Sequence, residues 1–131
     1  MSDAAAPAAV GILSGRRILV VEDDYFLAED LAEELRSLGA EVRGPAPSVA
    51  AALGLLADGP EPDMAVLDVN LGGETVVPVA EELLLRGVPF AFVTGYDRSA
   101  LPDRFADAPR FEKPLDTRRL MAAIRAALGG P

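Results

Sequence analysis

The hydrophobic pattern changes repeatedly along the chain between short apolar runs and segments with helical spacing. The apolar runs predict buried strands at 17–21, 41–44, 64–67, 90–94 and 110–112. The helical spacing predicts helices at 25–38, 48–57, 75–86 and 116–128, and at best a short helix at 99–105. Alternating strands and helices are typical of βα units that form a parallel sheet covered on both faces. We therefore expect an α/β domain with three layers.

Residues 1–15 show neither pattern. They are rich in Ala and carry Asp3 but no basic residue, unlike the start of a secretory signal. No apolar run approaches the roughly 18 residues that a membrane helix needs. We expect a flexible tail at 1–15, one domain at 16–131, no contact with a membrane, and a soluble protein located in the cytoplasm.

Composition then excludes several kinds of site. The chain has no Cys and no His, so thiol nucleophiles, thiolate metal sites and imidazole bases are excluded. Any metal must be held by oxygen, which favours magnesium, manganese or calcium. The net charge of −9 opposes binding to nucleic acid. Only one of the twelve basic residues is a lysine, Lys113, which suggests a position where a compact ammonium is needed.

Polar side chains directly follow four of the predicted strands. In open parallel sheets, ligands bind beyond the carboxyl ends of the strands, so these side chains should meet at one edge. They are Glu22, Asp23, Asp24, Asp68, Thr94 and Lys113.

The acidic members of this set predict a metal site. Crowded carboxylates repel one another, and a hard divalent cation relieves the repulsion. Magnesium accepts one or two carboxylates and keeps positions for phosphate oxygens. Glu22 and Asp23 are the candidate metal acids, Asp68 could add an oxygen, and the backbone carbonyl of Asn70 another. Manganese or calcium could substitute.

The same set is suited to phosphoryl transfer. An aspartate beside a metal can act as a nucleophile and form an aspartyl phosphate, and Asp68 fits this role best. Thr94 and Lys113 could share the charge of the phosphoryl oxygens with the metal. Singly, each residue also fits a solvated loop, a cap or a turn. The occurrence of these residue types at four strand ends, in this order, favours the functional interpretation.

These residues resemble the receiver domain of bacterial two-component response regulators. The resemblance covers about 16–128, and its motifs are at 18–24, 66–71, 92–95 and 112–115. It implies a flavodoxin-like, doubly wound, five-stranded parallel sheet of order 2-1-3-4-5. It also implies that Asp68 is the phosphoacceptor, Glu22 and Asp23 are magnesium acids, Thr94 is the switch hydroxyl and Lys113 contacts the phosphate. The donor would be a phosphohistidine on a sensor histidine kinase or a phosphotransfer protein.

The sequence departs from the common receiver pattern in two ways. Receivers usually carry a switch aromatic three residues before the motif lysine, but Arg110 stands there and Phe111 follows it. The fourth helix is shortened, as in the alphaproteobacterial subgroup nicknamed FAT GUY, although Val93 replaces the Ala of that nickname. The subgroup implies receivers that often stand alone and kinases of the HWE or related classes. Residues that could serve the switch or an interface are Gly95, Tyr96, Arg110, Phe111 and Pro114.

No DNA-binding or enzymatic segment follows Leu128, so we expect a single-domain regulator that catalyses only its own phosphorylation and dephosphorylation. Its output would be a protein contact or phosphorelay, with the downstream partner unknown. The hypothesis for the switch is that phosphorylation pulls Thr94 toward the phosphate and orders the segment 95–108.

Three other functions share some of these features. One is a phosphate-independent binding module with a vestigial acidic site. Another is an enzyme of the haloacid dehalogenase type, but that pattern opens with the nucleophile and needs a second Asp where Asn70 stands. The third is a flavin or dinucleotide module, but no Gly-rich turn follows the first strand.

Overall fold

The computed structural model describes residues 11–95 and 101–129, and its main feature is a sheet of five parallel strands. These strands are β1 (Arg17–Val21), β2 (Glu41–Ala46), β3 (Met64–Asp68), β6 (Phe90–Thr94) and β7 (Arg110–Glu112). A separate antiparallel hairpin contains β4 (Asn70–Leu71) and β5 (Glu74–Thr75). The order in the main sheet is β2-β1-β3-β6-β7. Without the hairpin strands this is the predicted order 2-1-3-4-5, and the expected flavodoxin-like fold is confirmed.

Helices cover both faces of the sheet. They are α1 (Tyr25–Ser37), α2 (Val49–Ala57), α3 (Val77–Arg86), α4 (Thr117–Ala127) and a 3-10 helix at Asp103–Phe105. Asp24, Ser48 and Asp116 each accept backbone N–H groups at the start of a helix. Such caps satisfy donors that have no partner within the helix, so short polar residues determine where α1, α2 and α4 begin.

The hydrophobic core has two halves, one on each side of the sheet. Alternate residues of a strand point to opposite faces, so Leu19 and Leu67 face α2 and α3 while Val20 and Val66 face α1 and α4. All four are at most 2% exposed. A parallel sheet covered on both faces needs such continuous apolar strands, and this explains the apolar runs in the sequence.

Some predicted elements differ in extent from the observed ones. The predicted helix at 75–86 begins only at Val77, because Thr75 pairs with Asn70 in the hairpin. Strand β2 continues to Ala46, where Ala46 accepts the N–H of Glu22. Leu27 belongs to the predicted apolar stripe of α1 but is 45% exposed.

The N-terminal part of the described chain is packed against the domain. Residues 11–15 form turns, and Leu13 is 2% exposed within the core half formed by α1 and α4. The Leu13 N–H donates to the carbonyl of Leu38 at 2.8 Å. The sequence predicts a flexible tail at 1–15, and Leu13, which makes this contact, lies within that range.

Between β6 and β7, the described residues contain only the 3-10 helix at Asp103–Phe105, which agrees with a shortened fourth helix. None of the described helices combines the length and the apolar character that crossing a membrane requires.

Candidate functional site

Asp68 is the last residue of β3 and lies at the carboxyl edge of the sheet. It is 5% exposed, so its carboxylate has lost most of its hydration. The Asn70 N–H donates to Oδ1 at 3.2 Å, and Lys113 Nζ lies 3.1 Å from Oδ2. These two contacts orient the carboxylate and offset the cost of burying its charge.

Glu22 follows β1, the neighbouring strand, and is 8% exposed. Its Oε1 lies 3.2 Å from Lys113 Nζ, and its Oε2 accepts the N–H of Asp24 at 3.0 Å. Burial and the adjacent Asp68 raise the pKa of Glu22 to about 7, although the Asp24 N–H and Lys113 act in the opposite direction. Two neighbouring carboxylates thus compete for one ammonium, as expected where two like charges share a site.

Lys113 follows β7 and is held in place by its backbone. Its N–H donates to the Thr94 carbonyl at 2.8 Å, and its peptide bond to Pro114 is cis. Partial burial lowers the pKa of Lys113, but the charges and hydrogen bonds of Asp68 and Glu22 outweigh this and raise it. Lys113 is therefore a cation that links the two buried acids.

The acids can hold a divalent metal. One carboxylate oxygen from each of Glu22, Asp23 and Asp68 lies within 4.8 Å of the other two. Three converging carboxylates, with Asp23 exposed to solvent, fit a hard cation such as magnesium that keeps part of its water shell. The predicted acids thus come together as expected from their strand ends.

Asn70 lies beside this cluster. Its N–H contacts Asp68, and its side-chain oxygen accepts the Gly73 N–H at 3.0 Å within the hairpin. A role for its backbone carbonyl as a metal ligand stays a prediction.

Thr94 ends β6 and is half-buried. Its hydroxyl donates to the carbonyl of Gly95 at 2.9 Å. Among the described residues, no hydrogen bond joins this hydroxyl to Asp68. Gly95 is exposed, and Tyr96 lies outside the described residues. The roles proposed for these three residues stay predictions.

Arg110 stands at the position of the usual switch aromatic residue, and Phe111 follows it. Their side chains lie on opposite faces of the sheet. Arg110 is exposed and pairs with Phe92, whereas Phe111 is half-buried and packs against the core half formed by α1 and α4. Phe111 is therefore the aromatic residue of β7 that packs against the core. Pro114 is exposed beside Lys113.

Sequence reasoning missed Phe105, which is 2% exposed. Its ring makes edge contacts with Phe90 and Phe92, at centroid distances of 5.9 and 5.8 Å. Arg104 lies over the outer face of the Phe105 ring and pairs with Glu81 on α3. The available signal was a single Phe in an otherwise polar stretch, which is typical of an apolar anchor. Arg104 is therefore engaged within the domain.

Known proteins resemble the chain in sequence and in fold, although no family model matches it. The transcriptional regulatory protein PdtaR of Mycobacterium tuberculosis is 30% identical over 97% of this chain, which spans only 60% of that protein. The solution structure of SdrG from Sphingomonas melonis is 41% identical with a TM-score of 0.74, covering 86% of this chain and 95% of SdrG.

The receiver domain of the response regulator PhyR from Erythrobacter litoralis gives a TM-score of 0.78 at 26% identity, covering 90% of this chain and 93% of that domain. The strand order, the site residues at the strand ends and these relatives lead to one conclusion. The chain belongs to the response regulator receiver domains of two-component signalling.

Proposed function

We propose that Asp68 accepts a phosphoryl group from a phosphohistidine of a sensor histidine kinase or a phosphotransfer protein. The phosphorylated domain then signals by protein contact or passes the group on by phosphorelay. The observation that carries this proposal is the buried Asp68 carboxylate, 3.1 Å from Lys113 Nζ and beside the acids Glu22 and Asp23.

The transfer step needs a nucleophile and a positive environment. An oxygen of Asp68 attacks phosphorus and forms a P–O bond, while the P–N bond to the donor imidazole breaks. The electron pair of that bond stays on the imidazole nitrogen, which takes up a proton. Lys113 lies next to the attacking carboxylate. Because its ammonium group can donate hydrogen bonds in any direction, it can keep contact with a phosphoryl oxygen that moves during the transfer.

Glu22, Asp23 and Asp68 would hold magnesium, with manganese or calcium as substitutes. When bound there, the metal supplies positive charge and open coordination positions for phosphoryl oxygens. The Asn70 N–H keeps Oδ1 of Asp68 in a fixed orientation at the same time. Positioning and charge neutralisation are the main requirements of phosphoryl transfer, and these side chains meet both.

Thr94 would transmit the phosphorylation of Asp68 to other parts of the domain. Its hydroxyl now donates to the neighbouring Gly95 carbonyl, a weak local partner that a phosphoryl oxygen can replace. This exchange would shift β6 and the segment that follows it. Hydrogen exchange across residues 101–108 should therefore change when a phosphate mimic such as beryllofluoride is added, and unchanged exchange would contradict this switch.

The proposed donor is a kinase of the HWE or related class, because the motif at 92–95 resembles the FAT GUY subgroup. We also propose that the protein meets this kinase in the cytoplasm.

The test is the intact mass of the protein after incubation with a small phosphodonor, with and without magnesium. We expect one added phosphoryl group that requires both magnesium and Asp68. Asp68→Asn should abolish it, and Asp103→Asn should not, because Asp103 is exposed and remote in sequence from the acids. If a phosphorylated kinase also fails to transfer the group to a folded protein, the chain is a phosphate-independent binding module with a vestigial acidic site.

A further inference from the structure

The β4–β5 hairpin contacts both the proposed phosphoryl site and helix α2. It begins two residues after Asp68, and its strands pair Asn70 with Thr75 and Leu71 with Glu74. Strands of two residues make few backbone hydrogen bonds, and an isolated two-stranded hairpin is only marginally stable in water. The position of this hairpin therefore depends on its contacts with the rest of the domain.

The base of the hairpin is buried, but its tip is exposed. Leu71 is 3% exposed, and Val76, which follows β5, is fully buried. At the tip, Gly72 and Gly73 have φ values of +62° and +100°, which the two central residues of a tight hairpin turn require. Both glycines and the following Glu74 are exposed. Apolar burial thus anchors the base, whereas the tip can be held only by polar contacts.

The tip lies beside the proposed metal site. A Cβ atom added to Gly72 would stand 3.7 Å from Oδ2 of Asp23. The side chain of Asn70 accepts the Gly73 N–H at 3.0 Å, and the Asn70 N–H donates to Asp68 at 3.2 Å. A movement of the tip would therefore change the space around Asp23 and disturb the hydrogen bond that orients Asp68.

Glu74 connects the tip to α2. Its Oε2 accepts the N–H of Val49, the first residue of α2, at 3.4 Å. The first N–H groups of a helix have no partner within the helix, and the helix dipole favours a negative charge near them. The first turn of α2 contains no acidic residue, so Glu74 supplies this charge from another element. Ser48 caps the same helix end separately, because its side chain accepts the Ala51 N–H at 3.1 Å.

From these contacts we infer that Glu74 is a positioning residue for the proposed metal site. By fixing the hairpin tip on α2, it holds the turn beside Asp23 and the Asn70 backbone beside Asp68. Glu74 is not one of the three acids whose oxygens converge, so it acts through the hairpin and not as a metal ligand. This role rests on the proposed function, since it assumes that the converging acids bind magnesium.

The test is a titration of the full chain with magnesium, followed by amide NMR shifts. Glu74→Ala removes the contact with Val49 and should weaken magnesium binding about threefold, which corresponds to about 0.6 kcal/mol for one exposed hydrogen bond. Glu74→Gln keeps an oxygen that can accept the Val49 N–H, and should bind magnesium more tightly than Glu74→Ala. Equal losses in the two variants would overturn the inference, because the effect would then come from the lost negative charge alone.

Ser48→Ala is the matched control, because it removes the other cap of α2 and leaves the hairpin unchanged. It should lower the urea concentration at the midpoint of unfolding, as the loss of a helix cap does, without changing the affinity for magnesium. A loss of magnesium affinity as large as that of Glu74→Ala would contradict the inference, since any loosening of α2 would then have the same effect.

The unaltered protein offers a second measurement. If the Glu74 contact strengthens magnesium binding, then magnesium must stabilise that contact by the same factor. Hydrogen exchange of the Val49 amide should therefore slow about threefold when magnesium saturates the protein. Exchange of the Ala51 amide, which is bonded to Ser48, should stay the same. Equal changes at Val49 and Ala51 would refute the role of Glu74.

The titration also separates this inference from the proposed function. An unaltered protein that binds no magnesium would refute the proposed metal site, and the role of Glu74 with it. Magnesium binding that Glu74→Ala leaves unchanged would refute the role of Glu74 alone, and the converging acids would keep theirs.

Discussion

Replacing Glu22 with Gln should change how the stability of the metal-free protein depends on pH. The pKa of Glu22 is raised from 4.5 to about 7 in the folded state, mainly because the carboxyl is buried and also because Asp68 is adjacent. The folded state therefore holds this proton more tightly than the unfolded state does. The free energy of unfolding must fall as the pH rises from about 4.5 to about 7, and then level off.

The magnitude follows from the size of the shift. One pKa unit corresponds to about 1.4 kcal/mol, so the rise of Glu22 from 4.5 to about 7 costs about 3 kcal/mol of stability at pH 8. A glutamine keeps the shape of the side chain and has no proton to lose in this range. As the pH rises from 4.5 to 8, the free energy of unfolding of Glu22→Gln should therefore increase by about 3 kcal/mol relative to that of the unaltered protein.

The assay is urea unfolding followed by circular dichroism at a series of pH values, with a chelator present. Glu33→Gln, an exposed change on α1, should follow the unaltered protein within about 0.5 kcal/mol at every pH. Parallel curves for the unaltered protein and Glu22→Gln would refute the reasoning, because Glu22 would then ionise alike in both states. Added magnesium should restore stability at pH 8 in the unaltered protein, since a metal binds the ionised carboxylates.

Three further changes test how the site and the core are held together. Lys113→Met leaves two buried acids without their cation, so the metal-free protein should lose about 3 kcal/mol of stability in urea unfolding. Magnesium should restore part of this loss, and an unchanged stability of the metal-free variant would contradict the pairing. Phe105→Ala removes a buried ring and should cost about 3 kcal/mol. Arg104→Ala removes an exposed ion pair and a cation contact with that ring, and should cost only about 1 kcal/mol. Leu13→Ala should lower the thermal midpoint by an amount equivalent to about 3 kcal/mol, whereas Ile12→Ala, at a position that is 41% exposed, should have little effect. Equal effects of the two substitutions would show that the turn at 11–15 is not packed against the domain.

The pattern of the sequence predicted a parallel sheet covered on both faces and the residues at its edge, whereas the strand order was implied by the resemblance to receiver domains. Apolar runs identify buried parallel strands, and polar residues directly after such runs must lie at the carboxyl ends. Glu22, Asp23, Asp68 and Lys113 therefore came together as predicted. This inference is reliable because it uses only the local alternation of elements and the rule that ligands bind beyond the carboxyl ends of parallel strands.

Contacts between residues distant in the chain were not accessible in the same way. Phe105 lies on a short 3-10 helix between β6 and β7 and packs on Phe90 and Phe92. Leu13 looks like part of a tail in a sequence rich in Ala and Gly, yet it fills a gap against α1 and α4. Each of these contacts depends on the distance between two elements, and no local pattern encodes that distance.

The sequence by itself thus determined the kind of fold and which side chains gather at its edge, because both follow from hydrophobic period and strand ends. The tertiary structure decided which partner each of these side chains contacts. It placed one ammonium between Glu22 and Asp68 and turned the Thr94 hydroxyl to Gly95. Such outcomes depend on spacings of a few ångströms between elements that meet only after the chain has folded.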